Sequence, residues 1–281
     1  MKVGIGLPSA VPGASGAELV EWARRADARG FSSLGTIDRI VYDNYEPLTA
    51  LAAAAAVTER IELITTVLLG PLRTNPVELA KQALSVNALS GGRFTLGIGL
   101  GARDDDYHVS GVDLSGRGNR LDAMLERITQ VWEGDEIGPA VGGAPGLVVG
   151  GHADASFARA ARFGQGWIAG GAPPDQYAGA AVKAREAWKQ AGCEGEPRLL
   201  GLAYFSLGER AEEDARENLA DYYAFLGEQG AAFVAGSAAK SPEEIRDRLA
   251  AFEEAGCGEL IMFPSSSDPA QVDLLADAAG L

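Results

Sequence analysis

Short apolar segments alternate with amphipathic ones along the whole 281-residue chain, and this alternation limits the fold more than any motif does. Residues 3–7 form an apolar, strand-like run. Residues 17–29 then place Leu19, Trp22, Ala23 and Ala26 on one helical face before Gly30, a natural left-handed stop. The pattern predicts further strands over 31–36, 61–69, 93–98, 146–149, 166–169, 198–207 and 259–263, with helices between them. Strict strand–helix alternation requires a parallel sheet with right-handed crossovers. Eight units averaging about 35 residues predict one closed α/β structure, a (β/α)8 TIM barrel forming a single domain over residues 1–281. Two helices, 211–229 and 241–255, fall between strands seven and eight, so a helical insertion is expected there.

A barrel of this kind works at the rim built from strand-to-helix loops, while helix-to-strand turns serve stability. Sorting the reactive residues between the two rims excludes much chemistry. Cys193 and Cys257 both follow helices and belong to the structural rim. The five lysines start a strand or lie in or before helices, which leaves none at a strand end for a Schiff base. No Gly-x-Ser-x-Gly elbow occurs, and the two histidines, His108 and His152, stand 44 positions apart, so no clustered metal ligands are expected. A net charge of −15 argues against nucleic acid and anionic membrane surfaces as partners. No apolar run approaches the roughly 20 residues of a membrane span. Scarce cysteine, and a first segment interrupted by Pro8, Pro12 and Gly13 where a secretory leader would continue, point to the cytoplasm. Asp38, with Asp104, Asp105 and Asp106, leaves a glycoside hydrolase as one alternative, although the aspartate run reads as a solvated loop. Otherwise the difficult chemistry must be borrowed from a cofactor.

Glycines on the working rim support a cofactor. Gly97, Gly99 and Gly101 run off strand four, Gly150 and Gly151 off strand five, and Gly170 and Gly171 off strand six. Such loops let a backbone approach a ligand closely, and a helix N-terminus behind them offers free N–H groups to a phosphate. Arg103, Arg117 and Arg120 follow strand four, and a local group of arginines is informative in so acidic a protein. His108 and His152 both fall in rim loops, where an imidazole suits hydrogen bonding to phosphate, cofactor or substrate.

At this point the residues resemble the bacterial luciferase-like flavin-dependent oxidoreductases. The resemblance is carried by Glu46-Pro47-Leu48-Thr49, Thr65-Thr66-Val67-Leu68-Leu69-Gly70-Pro71, Asn75-Pro76-Val77-Glu78-Leu79-Ala80-Lys81-Gln82 and, most specifically, Leu89-Ser90-Gly91-Gly92-Arg93-Phe94. Ala160-Ala161-Arg162-Phe163-Gly164-Gln165-Gly166-Trp167 extends it, so that residues 1–170 match well and the C-terminal third only in pattern. The resemblance implies FMN, or a deazaflavin coenzyme of the F-420 type, at the C-terminal rim. It further implies a cis peptide at Thr66–Val67 beside the ring system, and phosphate held near residues 150–156 with help from Arg103, Arg117 or Arg120. The chain departs from the family at three points. Arg39 follows Asp38 where many members carry histidine; Gly99 replaces the reactive cysteine of luciferase, so light emission is not expected; and Leu100 replaces a phosphate-binding arginine.

The sequence therefore reads as a monooxygenase that uses reduced FMN and oxygen on a small organic substrate, with FMN reduced by a separate flavin reductase and the chain paired as a homodimer. Asp38, Arg39 and His108 are the catalytic candidates. Thr66, Val67, Gly99, Gly101, Arg103, Arg117, Arg120, Gly150, Gly151, His152, Gly170 and Gly171 are the cofactor-binding candidates, with Tyr42 also near ring and substrate. Two alternatives stand beside this reading: hydride transfer with the deazaflavin, and a flavin-binding barrel without catalysis.

Overall fold

The computed structural model describes residues 1–281. Nine strand segments, β1 (Lys2–Gly6), β2 (Ser33–Thr36), β3 (Glu62–Thr65), β4 (Leu68–Leu69), β5 (Phe94–Gly99), β6 (Gly146–Gly150), β7 (Gly166–Ile168), β8 (Arg198–Phe205) and β9 (Glu259–Pro264), make one parallel sheet. β1 pairs with β2 on one side and β9 on the other, and both β3 and β4 pair with β5, so the sheet closes into a barrel. β3 and β4 are two parts of a single stave, interrupted at Thr66–Val67, where the peptide is cis. The closed barrel thus has the eight strands the alternation predicts.

The helices form where the chain supplies both an apolar face and local stop signals. In α1 (Gly16–Arg29), Ser15 and Glu18 make a reciprocal capping box and Gly30 ends the helix at φ 84°. In α3 (Pro76–Leu89), the Asn75 side chain accepts from the N–H groups of Val77 and Glu78, and Pro76 occupies the first turn, where no N–H is needed. These helices, with α2 (Pro47–Ala55) between them, bury their apolar faces against the outside of the barrel. A second apolar cluster fills the inside, with Ile64, Val148, Ile168, Leu200, Ile261 and Phe263 from the strands. It continues upward into Leu219 and Ala235 of the insertion, so the insertion roofs the barrel mouth.

The structure differs from the sequence reading at two places on the working rim. The acidic loop after β5 contains a short helix, α4 (Asp104–Val109), followed by α5 (Arg117–Glu133). Asp106 within α4 is fully buried, not solvated. The insertion is also more divided than one helix over 211–229. It comprises α8 (Ala211–Tyr222), a 3-10 turn (Ala224–Leu226) and α9 (Gly227–Gly236), with Gly227 at φ 74° supplying a break that a side-chain-bearing residue resists. α6 (Asp154–Phe163), α7 (Pro174–Gln190), α10 (Pro242–Glu254) and α11 (Ala270–Ala279) complete the outer ring. No helix is long and apolar enough to cross a membrane.

Candidate active site at the barrel mouth

The floor of the mouth is made by side chains that cross the barrel into gaps left by strand glycines. A Cβ at Gly6 would collide with the Phe263 ring, and one at Gly35 would lie 3.1 Å from it. On the other side, a Cβ at Gly99 or Gly150 would come within 2.7 or 2.8 Å of the Val67 methyls. Phe263 therefore fills the floor beneath β1 and β2, and Val67 fills it beneath β5 and β6. Thr66 is fixed by its hydroxyl, which donates to the Thr36 carbonyl at 2.9 Å. Gly101, at φ 71°, turns the chain out of β5 close to Leu69.

Beside this floor, β2 delivers Asp38 and Arg39, both buried. Asp38 Oδ2 accepts from the Leu69 N–H at 2.8 Å and from Arg73 at 2.9 Å, while Oδ1 is buried without a partner. Burial pushes the Asp38 carboxyl above the usual carboxylate range, against the pull of Arg73 and the Leu69 N–H. Arg39 points away from the floor. Its Nε donates to Asp106 at 2.7 Å and a terminal nitrogen donates to Asp105 at 2.8 Å. Asp106 also accepts from the N–H groups of Ile40 and Val41, so this pair ties the loop after β2 to α4.

The roof is held by arginine–aromatic contacts. Arg103 donates to the Tyr222 carbonyl at 2.7 Å and lies 3.6 Å from the centre of the Phe225 ring. Tyr42 packs edge-on against Tyr222 and donates its hydroxyl to Asp221 at 2.7 Å. Under this roof a cavity of about 20 Å³, enough for one water molecule, is lined by Leu7, Ile37, Tyr204, Tyr222 and Phe263.

The opposite quadrant is built from the loops after β6 and β7 and the starts of α5 and α6. α5 and α6 begin without a side-chain cap; in α6 the Ser156 N–H donates to the Ala153 carbonyl at 2.7 Å, which leaves the N–H groups of Asp154 and Ala155 for another acceptor. Gly151, at φ 134°, passes so close to Ser156 that a Cβ there would strike its hydroxyl, and its carbonyl accepts from the Trp167 indole at 2.7 Å. A Cβ at Gly170 would meet only His152 Nε2, at 3.7 Å, and one at Gly171 would meet nothing closer than Tyr204 at 3.7 Å. These glycines thus present backbone where side chains would press on Ser156 or lie against His152 and Tyr204. Arg117, at the head of α5, has a buried guanidinium nitrogen with no partner, and its guanidinium lies 5.9 Å from the centre of the Tyr107 ring. Arg120 is bound to the carbonyls of Ser115 and Asp113.

The predicted residues therefore separate into groups. Thr66, Val67, Gly99, Gly150 and Asp38 converge on the floor, and Gly151, His152, Gly170 and Gly171 cluster around the start of α6. The three arginines do not form one clamp, because Arg103 serves the roof and Arg120 its own loop, which leaves Arg117 available. His108 is exposed on α4 and touches none of these groups. Sequence reasoning missed Asp106, Tyr222 and Phe263. Asp106 had a signal in hindsight: it is the member of the aspartate run that an Asp104–Val109 helix turns inward.

The chain belongs to the luciferase-like monooxygenase family, whose family model matches residues 1–256. It is 34% identical over 190 residues to an uncharacterized protein of Mycobacterium tuberculosis, a match covering 55% of this chain and 65% of that relative. The fold is shared with monooxygenase RslO1 from Streptomyces bottropensis, at a TM-score of 0.80 and 22% identity over 99% of this chain and 98% of that one. It is shared equally with an F420-dependent secondary alcohol dehydrogenase, at a TM-score of 0.82 and 17% identity over 99% and 97% of the two chains.

Proposed function

We propose that the chain is a flavin-dependent oxidoreductase, a monooxygenase that takes reduced FMN from a separate reductase and acts with oxygen on a small organic substrate. One observation carries this reading: Arg117, at the head of the uncapped helix α5, keeps a buried guanidinium nitrogen without a partner, and α6 likewise begins without a side-chain cap just after Gly151. That donor set suits a phosphate-bearing cofactor. In this reading the first turn of α6, Ser156 and Arg117 hold the phosphate, and Gly151, His152, Gly170 and Gly171 line its approach. Thr66, Val67, Gly99, Gly101 and Gly150 seat the ring system. When bound, the cofactor supplies the electrons that no side chain here provides. The chain contributes position and dryness: the roof formed by Tyr222 and Tyr223 excludes water, and Asp38, held towards its protonated form by burial, places a hydrogen-bonding group at the edge of the floor. Arg39 acts at a distance in this reading, by fixing the loop after β2, and His108, exposed on α4, takes no part in the site.

A second reading, hydride transfer with a deazaflavin, is favoured by the barrel shared with an F420-dependent dehydrogenase and by Leu100 at a position where luciferase uses arginine for the FMN phosphate. Anaerobic titration with reduced FMN and reduced deazaflavin separates the two. Micromolar binding of FMN with oxygen-dependent turnover supports the first; binding of the deazaflavin alone replaces it with the second. Affinity no better than about 1 mM for both, roughly −4 kcal/mol, removes the cofactor reading altogether.

A further inference from the structure

Four of the seven tyrosines of the chain stand in one row through the roof. Tyr204 lies inside the barrel on β8, 7% exposed. A Cβ at Gly171, which lines the proposed approach of the cofactor, would meet its ring at 3.7 Å. Ring centres then follow at 5.9 Å to Tyr223, 5.1 Å to Tyr222 and 5.0 Å to Tyr42, each pair meeting edge to face. The row thus leads from the inner apolar cluster to half-buried Tyr42 in the loop after β2.

Packing alone does not ask for phenols here, since phenylalanine would make the same edge-on contacts and bury no hydroxyl. The phenols are instead connected at both ends of the row. Tyr204 and Tyr223 share a hydrogen bond of 2.6 Å between their hydroxyls, and Tyr42 donates to the Asp221 carboxylate at 2.7 Å. A phenol that loses an electron in neutral water also sheds its proton, because its radical cation is a strong acid. Tyr42 is the member of the row with a carboxylate placed to take that proton. Arg103 and Arg39 stand 4.9 and 5.8 Å from the centre of the Tyr222 ring, which disfavours a positive charge resting there. Arg39 is also 5.8 Å from Tyr42, but at Tyr42 the charge leaves with the proton.

We propose that Tyr204, Tyr223, Tyr222 and Tyr42 form a one-electron relay that carries oxidising equivalents out of the barrel mouth. The oxidant is an oxygen-centred radical, a class that oxygen and a reduced flavin generate together. Its origin rests on the oxidoreductase reading, whereas the relay stands on the row itself. The oxidant gains one electron and becomes an anion that water protonates. Tyr204, Tyr223 and Tyr222 are each oxidised and refilled in turn, and Tyr42 ends as a neutral phenoxyl radical with its proton on Asp221. A thiol or ascorbate in solution then returns an electron to Tyr42, and Asp221 returns the proton.

The relay is tested without cofactor by running it inward from the surface. The radical trap 3-aminotyrosine is introduced at position 204, where burial keeps it from direct contact with a bulky oxidant. Tris(bipyridine)ruthenium(III), generated by a flash in the presence of a cobalt ammine quencher, then oxidises exposed phenols, and the trapped radical is read by electron paramagnetic resonance. The trap should be oxidised in the otherwise unchanged chain. Tyr42→Phe and Tyr223→Phe should each nearly abolish its signal, with folding checked by circular dichroism. Tyr45→Phe should leave the signal unchanged, because Tyr45 is 37% exposed but donates to the Ala14 carbonyl outside the row. No radical at position 204, or a signal that survives both Tyr42→Phe and Tyr223→Phe, would overturn the proposal. Because no flavin is present, that outcome leaves the oxidoreductase reading to its own titration.

Discussion

At the amino-terminal end of the barrel, Arg198 reaches Glu62 through hydrogen bonds of 2.6 and 2.8 Å and Glu259 through another of 2.7 Å, while Thr95 and Ser32 donate to the same carboxylates. At the carboxyl-terminal end, ten of the thirteen buried side-chain polar atoms that lack a partner are gathered around the mouth, among them Asp38 Oδ1, the Arg73 and Arg120 Nε atoms and the Ser9, Thr36, Ser206 and Ser265 hydroxyls. One end satisfies its own polar groups, the Ser33 hydroxyl excepted, and closes the barrel. The other leaves donors and acceptors unmatched within the fold, which is the condition for binding something else.

The largest effect should come from breaking the satisfied end. Arg198→Met strands Glu259, which is 3% exposed, and should cost about 3 kcal/mol in urea unfolding. Burial works to raise the Glu259 carboxyl, but Arg198 and Ser32 hold it below its ordinary 4.5. The wild-type advantage should therefore be complete above pH 4.5 and shrink as the pH falls through the lowered value. Gly150→Ala tests the floor. The new methyl meets Val67 at 2.8 Å, and overpacking of this kind should cost about 1–3 kcal/mol together with cofactor affinity. Val67→Ala in the same chain should recover much of both.

Arg117→Ala should weaken binding of the phosphorylated cofactor about tenfold, roughly 1.4 kcal/mol, with little change in melting temperature. An unchanged affinity would move the phosphate elsewhere. Asp38→Asn sharpens the contrast through pH. Because burial raises the Asp38 value above 3.8, its contribution to stability is full below that pH and is lost as the pH rises through the folded-state value. The melting temperature of the asparagine variant, relative to wild type, should accordingly increase from pH 4 to pH 7. The smallest effect is expected for His108→Gln, which should leave turnover within about twofold, as befits an exposed side chain away from the floor.

The barrel was readable from the sequence because each strand–helix unit repeats two simple periods and ends on glycine or proline. What resisted reading was the choice among neighbours of like kind. Asp104, Asp105 and Asp106 are chemically identical, and only the turn of α4 buries the third beneath Arg39 while Asp105 meets the same guanidinium from the surface. Arg103, Arg117 and Arg120 are equally plausible anion clamps in one dimension. The rings of Tyr222, Tyr223 and Phe225 draw Arg103 into the roof, and those residues lie more than a hundred positions away. Glycine placement was legible as a site for close approach, but not its partners: that Gly6 and Gly35 make room for Phe263, and Gly99 and Gly150 for Val67, depends on packing across the closed barrel.

Those two pairings make the depth of the mouth adjustable from two independent places. Shortening residue 263 would deepen the chamber under β1 and β2, where α8 hangs its carboxylates, and leave the ledge over β5 and β6 at its present height. A lineage built on this barrel can therefore reshape one side of the mouth by changing one inward side chain on the last strand, while the packing of Val67 against Gly99 and Gly150 stays as it is.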